Sequence, residues 1–175
     1  MRPVSFSDKK TIFKNKFLEL YTVSAYFKNF KKDYFVTDYG KKVGILILKH
    51  NSVLLVRQYR YLLNSISYEI PGGRIDENET PEQSAIRECF EETGIKCNSI
   101  IPLLDYMAGV EMVKCPTHLF YTTDFEETNV FDKNEIENIK WFKYEECIEM
   151  IRSRKVRDGM TIIALLIYSY SQKLI

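Results

Sequence analysis

The sequence predicts an α/β fold, in which helices flank a mixed β-sheet. Its 175 residues are 45% apolar and 14% aromatic, which allows a sizeable core and excludes global disorder. Short runs rich in β-branched and aromatic residues recur along most of the chain. Only a few segments show helical spacing, and they lie between and after those runs. Strands interleaved with few helices predict a sandwich of helices around a mixed sheet.

The predicted strands begin near the N-terminus. Residues 11–39 mix aromatic residues with lysines, a composition that favours strands, and Asp38-Tyr39-Gly40 predicts a turn. Six later runs predict further strands: Val43–Leu48, Val53–Tyr59, Tyr68–Ile70, Ser99–Leu104, Thr117–Thr123 and Ile139–Phe142. The first two of these are separated by only four residues, so we expect them to form a hairpin.

Three helices are predicted, and the first is the best specified. Thr80 is placed to cap it, Pro81 occupies the first helical position, and Gln83 completes a capping box. Gly94 is placed to end the helix in the left-handed conformation. The other two predicted helices close the chain: Tyr144–Arg152 and Met160–Ser171.

Charge and cysteine content exclude several classes of protein. The net charge of +1 argues against a broad surface that coats nucleic acid. The four cysteines include no CxxC pair and the two histidines stand alone, so the spacing typical of zinc ligands is absent. The first ten residues lack an apolar segment, and the longest apolar run is too short to span a bilayer. We expect a cytoplasmic protein with reduced thiols and with no nucleic-acid or membrane partner.

The near-neutral total conceals a strongly acidic segment. The 22 residues from Arg74 to Ile95 hold seven acidic and two basic side chains, a net charge of −5, so the remainder carries +6. Such a segment is either a solvated acidic helix or a metal site.

The acidic residues cluster on one side of the first predicted helix. At 100° per residue, Glu88, Glu91 and Glu92 share one arc. The opposite side, expected to face the core, carries four residues: Ile86, Cys89, Phe90 and Thr93. Like charges at this spacing repel one another, and we expect no basic residue on that face to offset them. A hard divalent cation would remove the conflict, because Mg²⁺ prefers oxygen ligands.

The segment from Gly73 to Ile95 resembles the Nudix box. It reads GRIDENETPEQSAIRECFEETGI, and every fixed position of that 23-residue motif is filled. Cys89 stands at an apolar position where Leu or a larger aliphatic residue is usual. On this resemblance the chain is identified as a member of the Nudix hydrolase family, whose fold is an α/β/α sandwich.

The resemblance implies a metal-dependent hydrolase that cleaves a nucleoside diphosphate linked to another group. Glu88, Glu91 and Glu92 would bind Mg²⁺, for which Mn²⁺ may substitute, and the carbonyl of Gly72 would be a main-chain ligand. These ions neutralise the pyrophosphate and lower the pKa of the attacking water. Two more residues of the motif would support the ligands, Arg87 by orienting the carboxylates and Glu79 at the junction between loop and helix. Arg87 and Glu92 are therefore expected to act in catalysis.

Segments outside the motif narrow the expected substrate. Val56–Arg60 and Glu69–Gly73 resemble the ADP-ribose and nucleotide-sugar pyrophosphatases, in which the second arginine of that strand contacts a substrate phosphate. This implies Arg60 as the phosphate-binding residue, with Arg57 as an alternative. After the motif, these enzymes have a turn that contains proline. Here that turn lacks the proline but keeps two residues expected to bind substrate: Gly109 and Glu111.

The resemblance also implies a general base on a loop. In the enzymes that the chain resembles, a glutamate on a mobile loop before the last strand supplies it. Glu135 and Glu137 lie at the corresponding place, and Glu135 is favoured.

The resemblance divides the chain into an N-terminal β extension, residues 1–40, and a Nudix hydrolase domain, residues 41–175. The extension resembles the segment through which these pyrophosphatases form homodimers and stack an aromatic side chain on the base. We therefore expect a homodimer, and the aromatic candidates are Tyr26, Phe27 and Phe30. Core packing is the alternative for each of them.

Three hypotheses for the function follow. The first is hydrolysis of ADP-ribose or a similar nucleotide sugar to a nucleoside monophosphate and a sugar phosphate. The second is hydrolysis of another nucleoside diphosphate derivative, such as GDP-mannose or a UDP- or CDP-linked compound, or of a nucleoside triphosphate. The third is a non-catalytic nucleotide sensor, which the complete set of motif glutamates argues against.

Overall fold

The computed structural model describes residues 1–128 and 138–172, whose contacts divide into two compact units. The first unit comprises Met1–Lys41 and Tyr106–Thr117, and the second comprises Lys42–Asp105 and His118–Ile175. Two strands run from one unit into the other along the chain: β9 (Ile101–Gly109) and β10 (Val113–Thr122). The expected general bases, Glu135 and Glu137, lie outside the described residues.

The first unit is built from strands, as its aromatic and lysine content predicts. They are β1 (Ser5–Phe6), β2 (Lys10–Lys14), β3 (Glu19–Tyr26) and β4 (Lys31–Asp38), with the adjoining parts of β9 and β10. Strand β3 pairs antiparallel with β1, β2 and β4. The end of β4 pairs in parallel with the start of β10, where Thr37 lies opposite Val113. The turn predicted after β4 is confirmed, since Gly40 has a φ of 73° and its N–H donates to Asp38.

The second unit contains the remaining strands and all three helices of the described chain. The strands are β5 (Lys42–Lys49), β6 (Ser52–Arg60), β7 (Ser65–Glu69), β8 (Ile95–Cys97), β11 (Phe125–Glu127) and β12 (Asn138–Lys143). The helices are α1 (Pro81–Thr93), α2 (Tyr144–Arg152) and α3 (Gly159–Ser171). Strand β6 pairs antiparallel with β5, β7 and β12, and β8 pairs separately with β11. The predicted β5–β6 hairpin is confirmed.

Helices cover both faces of β5, which is buried from Val43 to Leu48. On one face Val43, Ile45 and Ile47 belong to a core cluster with Ala85 and Cys89 of α1. On the other face a Cβ at Gly44 would meet the sulfur of Met160, in α3. This is the predicted α/β fold with mixed strand pairing, and the α1 face of β5 positions the site described below. Within the described residues, no helix combines the length and apolarity needed to cross a membrane.

The side of α1 that faces the core differs from the prediction. Its buried residues are Ser84, Ala85, Cys89 and Thr93. Ile86 and Phe90, predicted to be buried, are 37% and 42% exposed. The buried arc is centred between Ala85 and Cys89, which brings Glu88 to its edge rather than opposite it. The prediction from helical periodicity failed because it assigns apolar residues to the core. It cannot show which side of α1 the strand β5 covers.

Candidate active site

Helix α1 begins and ends where local side chains dictate. The Thr80 hydroxyl accepts a hydrogen bond from the Gln83 N–H, and the Gln83 side chain accepts one from the Thr80 N–H. At the other end Gly94 adopts the left-handed conformation, with φ 68°, and its N–H donates to the Phe90 carbonyl. These caps satisfy backbone groups that a helix end otherwise leaves unpaired, so they fix the register of the acidic residues between them.

Alternate residues of the segment before α1 form backbone hydrogen bonds with β5. The Gly73 N–H and carbonyl both bond to Val43, at 3.1 and 3.0 Å, and the Pro71 carbonyl accepts from the Ile45 N–H at 2.9 Å. In such an antiparallel pairing the intervening residue directs its N–H and carbonyl away from the partner strand. The Gly72 N–H accordingly donates to a carboxylate oxygen of Glu92, at 3.0 Å.

Glu88 lies directly over Gly73. A Cβ built at Gly73 would fall 2.4 Å from Oε1 of Glu88, so a side chain there would displace the carboxylate. The Glu88 side chain is 14% exposed, and burial raises the pKa of its carboxyl above the usual value, against the opposing influence of Arg87. Two motif glutamates, Glu88 and Glu92, thus meet the Gly72-Gly73 backbone.

Arg87 connects the acidic residues of the motif. Its Nε and Nη2 donate to the two carboxylate oxygens of Glu79, at 2.9 and 3.0 Å. Its Nη1 donates to Glu88 at 2.9 Å and to Glu91 at 3.0 Å. Glu79 is the largest cause of the raised pKa of Arg87, and Arg87 in turn lowers the pKa of Glu79. The guanidinium is therefore held by three carboxylates through a fork of donors that an ammonium could not match.

The expectation that no basic residue relieves the acidic face was therefore wrong. Arg87 pairs with Glu88, the next residue, and with Glu91, one turn further along the helix, because its side chain is long enough to reach both. Angular position alone places its Cβ outside the acidic arc, but the guanidinium lies several bonds beyond the Cβ.

The donor chemistry suits a hard divalent cation. Counting side chains alone, no three His, Cys, Asp or Glu converge on one point within residues 1–128 and 138–172. The Glu92 carboxylate nevertheless accepts from the Gly72 N–H, and Glu88 lies over the adjacent Gly73. Both carboxylates and the backbone carbonyls of this segment offer the oxygen ligands that Mg²⁺ prefers. Glu91 is more exposed than Glu88 and is paired with Arg87. The residues present fit a cation whose coordination includes main-chain oxygen and solvent.

The two arginines of β6 occupy different sides of the sheet. Arg57 and Arg60 are three positions apart in regular pairing with β7, where they lie opposite Tyr68 and Ser65, so their side chains leave opposite faces. Arg60 forms a two-pronged ion pair with Glu69. Glu69 is also the largest cause of the raised pKa of Arg60, and the charge of Glu92 adds to it. Arg60 is thus tied electrostatically to Glu92, one of the motif carboxylates.

Comparison with known proteins identifies the family. A family model described as the NUDIX domain matches residues 38–160, which is more than half of the chain. The chain belongs to the Nudix family. It is a Nudix hydrolase, an enzyme that acts on phosphoric anhydrides. Members of this family generally use divalent metal ions.

Several relatives and a solved structure resemble the chain over most of its length. It is 26% identical over 162 residues to the ADP-ribose pyrophosphatase of Bacillus subtilis (strain 168), covering 90% of this chain and 88% of the relative. It is 29% identical over 141 residues to the GDP-mannose pyrophosphatase of Salmonella paratyphi B, covering 73% of each. A crystal structure of an ADP compounds hydrolase shares the fold, with a TM-score of 0.85 and 16% identity over 99% of this chain and 95% of that one.

The structure places the other predicted substrate contacts in the first unit. Gly109 ends β9, and a Cβ there would fall 2.9 Å from the Cβ of Val113. Glu111 lies in the turn between β9 and β10 and is largely exposed, 4.0 Å from the Lys32 amine. Their part in substrate binding remains a prediction.

Two supporting residues of this Nudix hydrolase have no assigned role from the sequence. Glu69 is a buried carboxylate that pairs with Arg60. Thr161 accepts a hydrogen bond from the Ile70 N–H at 3.0 Å and so ties the segment before Gly72 to α3. The sequence does carry a signal for Glu69, which is a lone acidic residue between an aromatic and an aliphatic residue. Next to a strand that contains arginines, such an acid is a candidate for a buried ion pair. Thr161 gives no such signal, because it lies 91 residues from its partner.

Proposed function

We propose that this Nudix hydrolase cleaves the pyrophosphate of a nucleotide sugar, with ADP-ribose as the favoured substrate, to a nucleoside monophosphate and a sugar phosphate. The observation that carries the proposal is the meeting of Glu88 and Glu92 with the Gly72-Gly73 backbone, beside the charge of Arg60. Carboxylates suited to cations and a guanidinium suited to phosphate are the two requirements for binding a pyrophosphate. The relative named ADP-ribose pyrophosphatase supports this choice of substrate.

In this proposal the Gly72 carbonyl and the carboxylates of Glu88, Glu91 and Glu92 would hold Mg²⁺, for which Mn²⁺ can substitute. When bound, the metal neutralises phosphate charge and lowers the pKa of a water molecule. Arg87 orients Glu88 and Glu91 through its bonds to both, and its charge offsets the repulsion between them.

Arg60 is the proposed phosphate contact. Its guanidinium is half exposed and lies within electrostatic reach of Glu92, so a pyrophosphate at the motif carboxylates would lie near it. Arg57 leaves the opposite face of β6 and is the weaker candidate. Gly109 and Glu111 complete the proposed substrate contacts on the basis of the sequence resemblance.

The proposed general base is a glutamate in the sequence that precedes β12, which takes a proton from the attacking water. Glu135 is favoured over Glu137, on the sequence resemblance alone, since both lie outside the described residues.

We also propose a cytoplasmic homodimer that has no nucleic-acid or membrane partner. The described first unit carries many exposed aromatic residues, which supports a second copy as its partner. All four cysteines are free and buried, which suits a reducing compartment. Residues 1–40 form most of that unit and are the proposed dimerisation element.

The proposal is tested with a panel of ADP-ribose, GDP-mannose, UDP-glucose, CDP-choline and deoxynucleoside triphosphates, compared by kcat/KM in Mg²⁺. We expect ADP-ribose to rank first, with release of AMP. Excess chelator and the Glu92→Gln variant should each abolish turnover, while circular dichroism of the variant stays unchanged. The exposed residue Glu149 provides a matched control, Glu149→Gln, which should retain full turnover.

GDP-mannose is the second candidate, favoured by the resemblance to a GDP-mannose pyrophosphatase over 73% of the chain. If GDP-mannose ranks first, the site assignment stands and the substrate assignment changes. Turnover that persists in chelator or in Glu92→Gln would overturn the metal site. No turnover with any member of the panel would overturn the proposed nucleotide-sugar substrate.

A further inference from the structure

The ion pair between Arg60 and Glu69 has an asymmetric environment. Nε and Nη2 of Arg60 donate to Oε1 and Oε2 of Glu69, the first at 2.9 Å. The Glu69 side chain is 5% exposed, whereas that of Arg60 is 46% exposed. One partner is thus fixed inside the protein, and the other reaches from it toward solvent.

Stability alone does not account for a carboxylate in this position. Its neighbours Val56, opposite it on β6, and Ile70, next in the chain, are both buried. Removing a carboxylate from water costs free energy that a single ion pair often fails to recover, and an apolar residue of similar size usually stabilises such a site equally well. A buried acid that engages two nitrogens of one arginine is better explained by the orientation that it imposes.

The backbone that carries Glu69 is fixed to the motif carboxylates. Immediately after Glu69, the Ile70 N–H donates to Thr161 and the Pro71 carbonyl accepts from Ile45. The next residue, Gly72, donates to Glu92 at 3.0 Å. Three consecutive residues are therefore tied to α3, β5 and α1, and Glu69 has little freedom to move relative to Glu92.

The bonds from Nε and Nη2 to Glu69 consequently fix the orientation of the Arg60 guanidinium. Glu69 engages Nε and Nη2, which leaves Nη1 and the exposed edge to face a ligand. The charge of Glu92 acts on Arg60, as does that of Asp158, the residue that caps α3. An arginine that is free to rotate would lose side-chain entropy on binding phosphate. An arginine already held by a two-pronged ion pair has lost that entropy before the phosphate binds.

We propose that Glu69 is a positioning residue that holds Arg60 for the substrate pyrophosphate, an inference that rests on the proposed function. Glu69 does not touch the substrate. It acts by fixing the direction of the Arg60 guanidinium relative to Glu92 and Gly72, and it keeps that guanidinium from pairing with the motif carboxylates themselves.

The test combines single and double variants, with ADP-ribose and Mg²⁺. Glu69→Gln keeps the size of the side chain and removes its charge, and we expect KM to rise about tenfold with a smaller change in kcat. Arg60→Gln should raise KM at least as much. Adding Glu69→Gln to Arg60→Gln should raise KM no further, because the residue that Glu69 positions is already gone.

Thermal unfolding of the same variants separates positioning from a purely structural role. Arg60→Gln leaves the buried Glu69 charge unpaired and should lower Tm more than Glu69→Gln does, since the half-exposed Arg60 can turn to solvent. The double variant should therefore recover Tm relative to Arg60→Gln while its KM stays high. If the ion pair had only a structural role, KM and Tm would change together across these variants.

Ser67→Ala is the matched control. Ser67 lies on the same face of β7 as Glu69, is buried, and has a hydroxyl with no partner in the described part of the chain. We expect it to leave KM unchanged. Glu69→Asp provides a second variant that keeps the charge, and it should also raise KM because its carboxylate, set back by one methylene, cannot hold the Arg60 guanidinium in the same position.

The outcomes distinguish this inference from the function on which it rests. An unchanged KM in Arg60→Gln would overturn the proposed phosphate contact. A raised KM in Arg60→Gln with an unchanged KM in both Glu69 variants would overturn the positioning role alone. Additive effects on KM in the double variant would do the same.

Discussion

Glu88 shows at the scale of one residue how a binding site can oppose stability. It is held between Gly73 and Arg87 with little exposure to solvent. Burial raises the pKa of its carboxyl, and the charges of Glu91 and Asp76 act in the same direction. The folded state therefore disfavours the ionised form that a cation requires.

The variant Glu88→Gln tests this conflict. Glutamine keeps an oxygen that can accept from Arg87, and it removes the buried charge. In excess chelator we expect a gain of about 1 kcal/mol in the free energy of unfolding, or about 3 °C in Tm. Hydrolysis of ADP-ribose should be lost, because the charged ligand is gone. Differential scanning calorimetry and an assay of AMP release measure the two effects.

Glu82 supplies the control for that prediction. It is an exposed acid in the first turn of the same helix, where its charge favours the helix dipole. Glu82→Gln should keep full activity and should not raise Tm. A fall in the Tm of Glu88→Gln in chelator would show that the ion pair with Arg87 outweighs the burial of the charge.

At this scale the sequence predicts the identity of the site residues better than their partners. Spacing and resemblance select Glu88, Glu92 and Gly72, which the structure brings together. They do not reveal the Glu92 bond to the Gly72 N–H, because that bond depends on how a backbone segment pairs with β5. Glu69 gains its role only when β6 and β7 pair.

At the scale of the element, α1 depends on its caps. The reciprocal bonds of Thr80 and Gln83 satisfy two backbone N–H groups that would otherwise be unpaired. Because α1 carries Glu88, Glu91 and Glu92, the caps set the limits of the helix that presents these residues.

Removing the cap should cost stability. Thr80→Ala deletes the oxygen that accepts from Gln83, and we expect a loss of about 1 kcal/mol in the free energy of unfolding in urea. The catalytic residues lie two turns or more away, so kcat at saturating substrate should change by less than twofold.

Thr80→Ser keeps the hydroxyl and is the matched control, which should unfold at the same urea concentration as the natural protein. Equal stability of the alanine and serine variants would mean that the capping bond contributes nothing measurable to folding.

The helix boundaries could be predicted because their signals are local. Thr80, Pro81 and Gly94 specify the limits of α1 from within the helix itself, and these limits are confirmed. The exposure of Ile86 and Phe90 could not be predicted, because it depends on where β5 covers the helix. The short strands β8 and β11 were missed for a related reason, since each has three residues and pairs only with the other.

At the scale of the whole molecule, the first unit presents an apolar face that the described chain leaves exposed. In the register of β2, β3 and β4, Phe13 lies opposite Leu20 and Phe35 lies opposite Thr22, so both aromatic side chains leave the same face. Tyr26 shares that face by alternation along β3. All three aromatic residues are exposed. Exposed apolar patches of this kind are typical of interaction surfaces.

A second copy of the chain is the proposed partner of this face, and the double variant Phe13→Asp/Phe35→Asp tests it. Two charges on an apolar interface should shift the protein from dimer to monomer in sedimentation equilibrium at micromolar concentration, because each would be buried without a partner. The second unit should keep its Tm, since the substitutions lie outside its core. Tyr170→Asp changes an exposed aromatic residue of α3 and should leave the dimer intact. A natural protein that sediments as a monomer, or a double variant that stays dimeric, would exclude this face as the dimer interface.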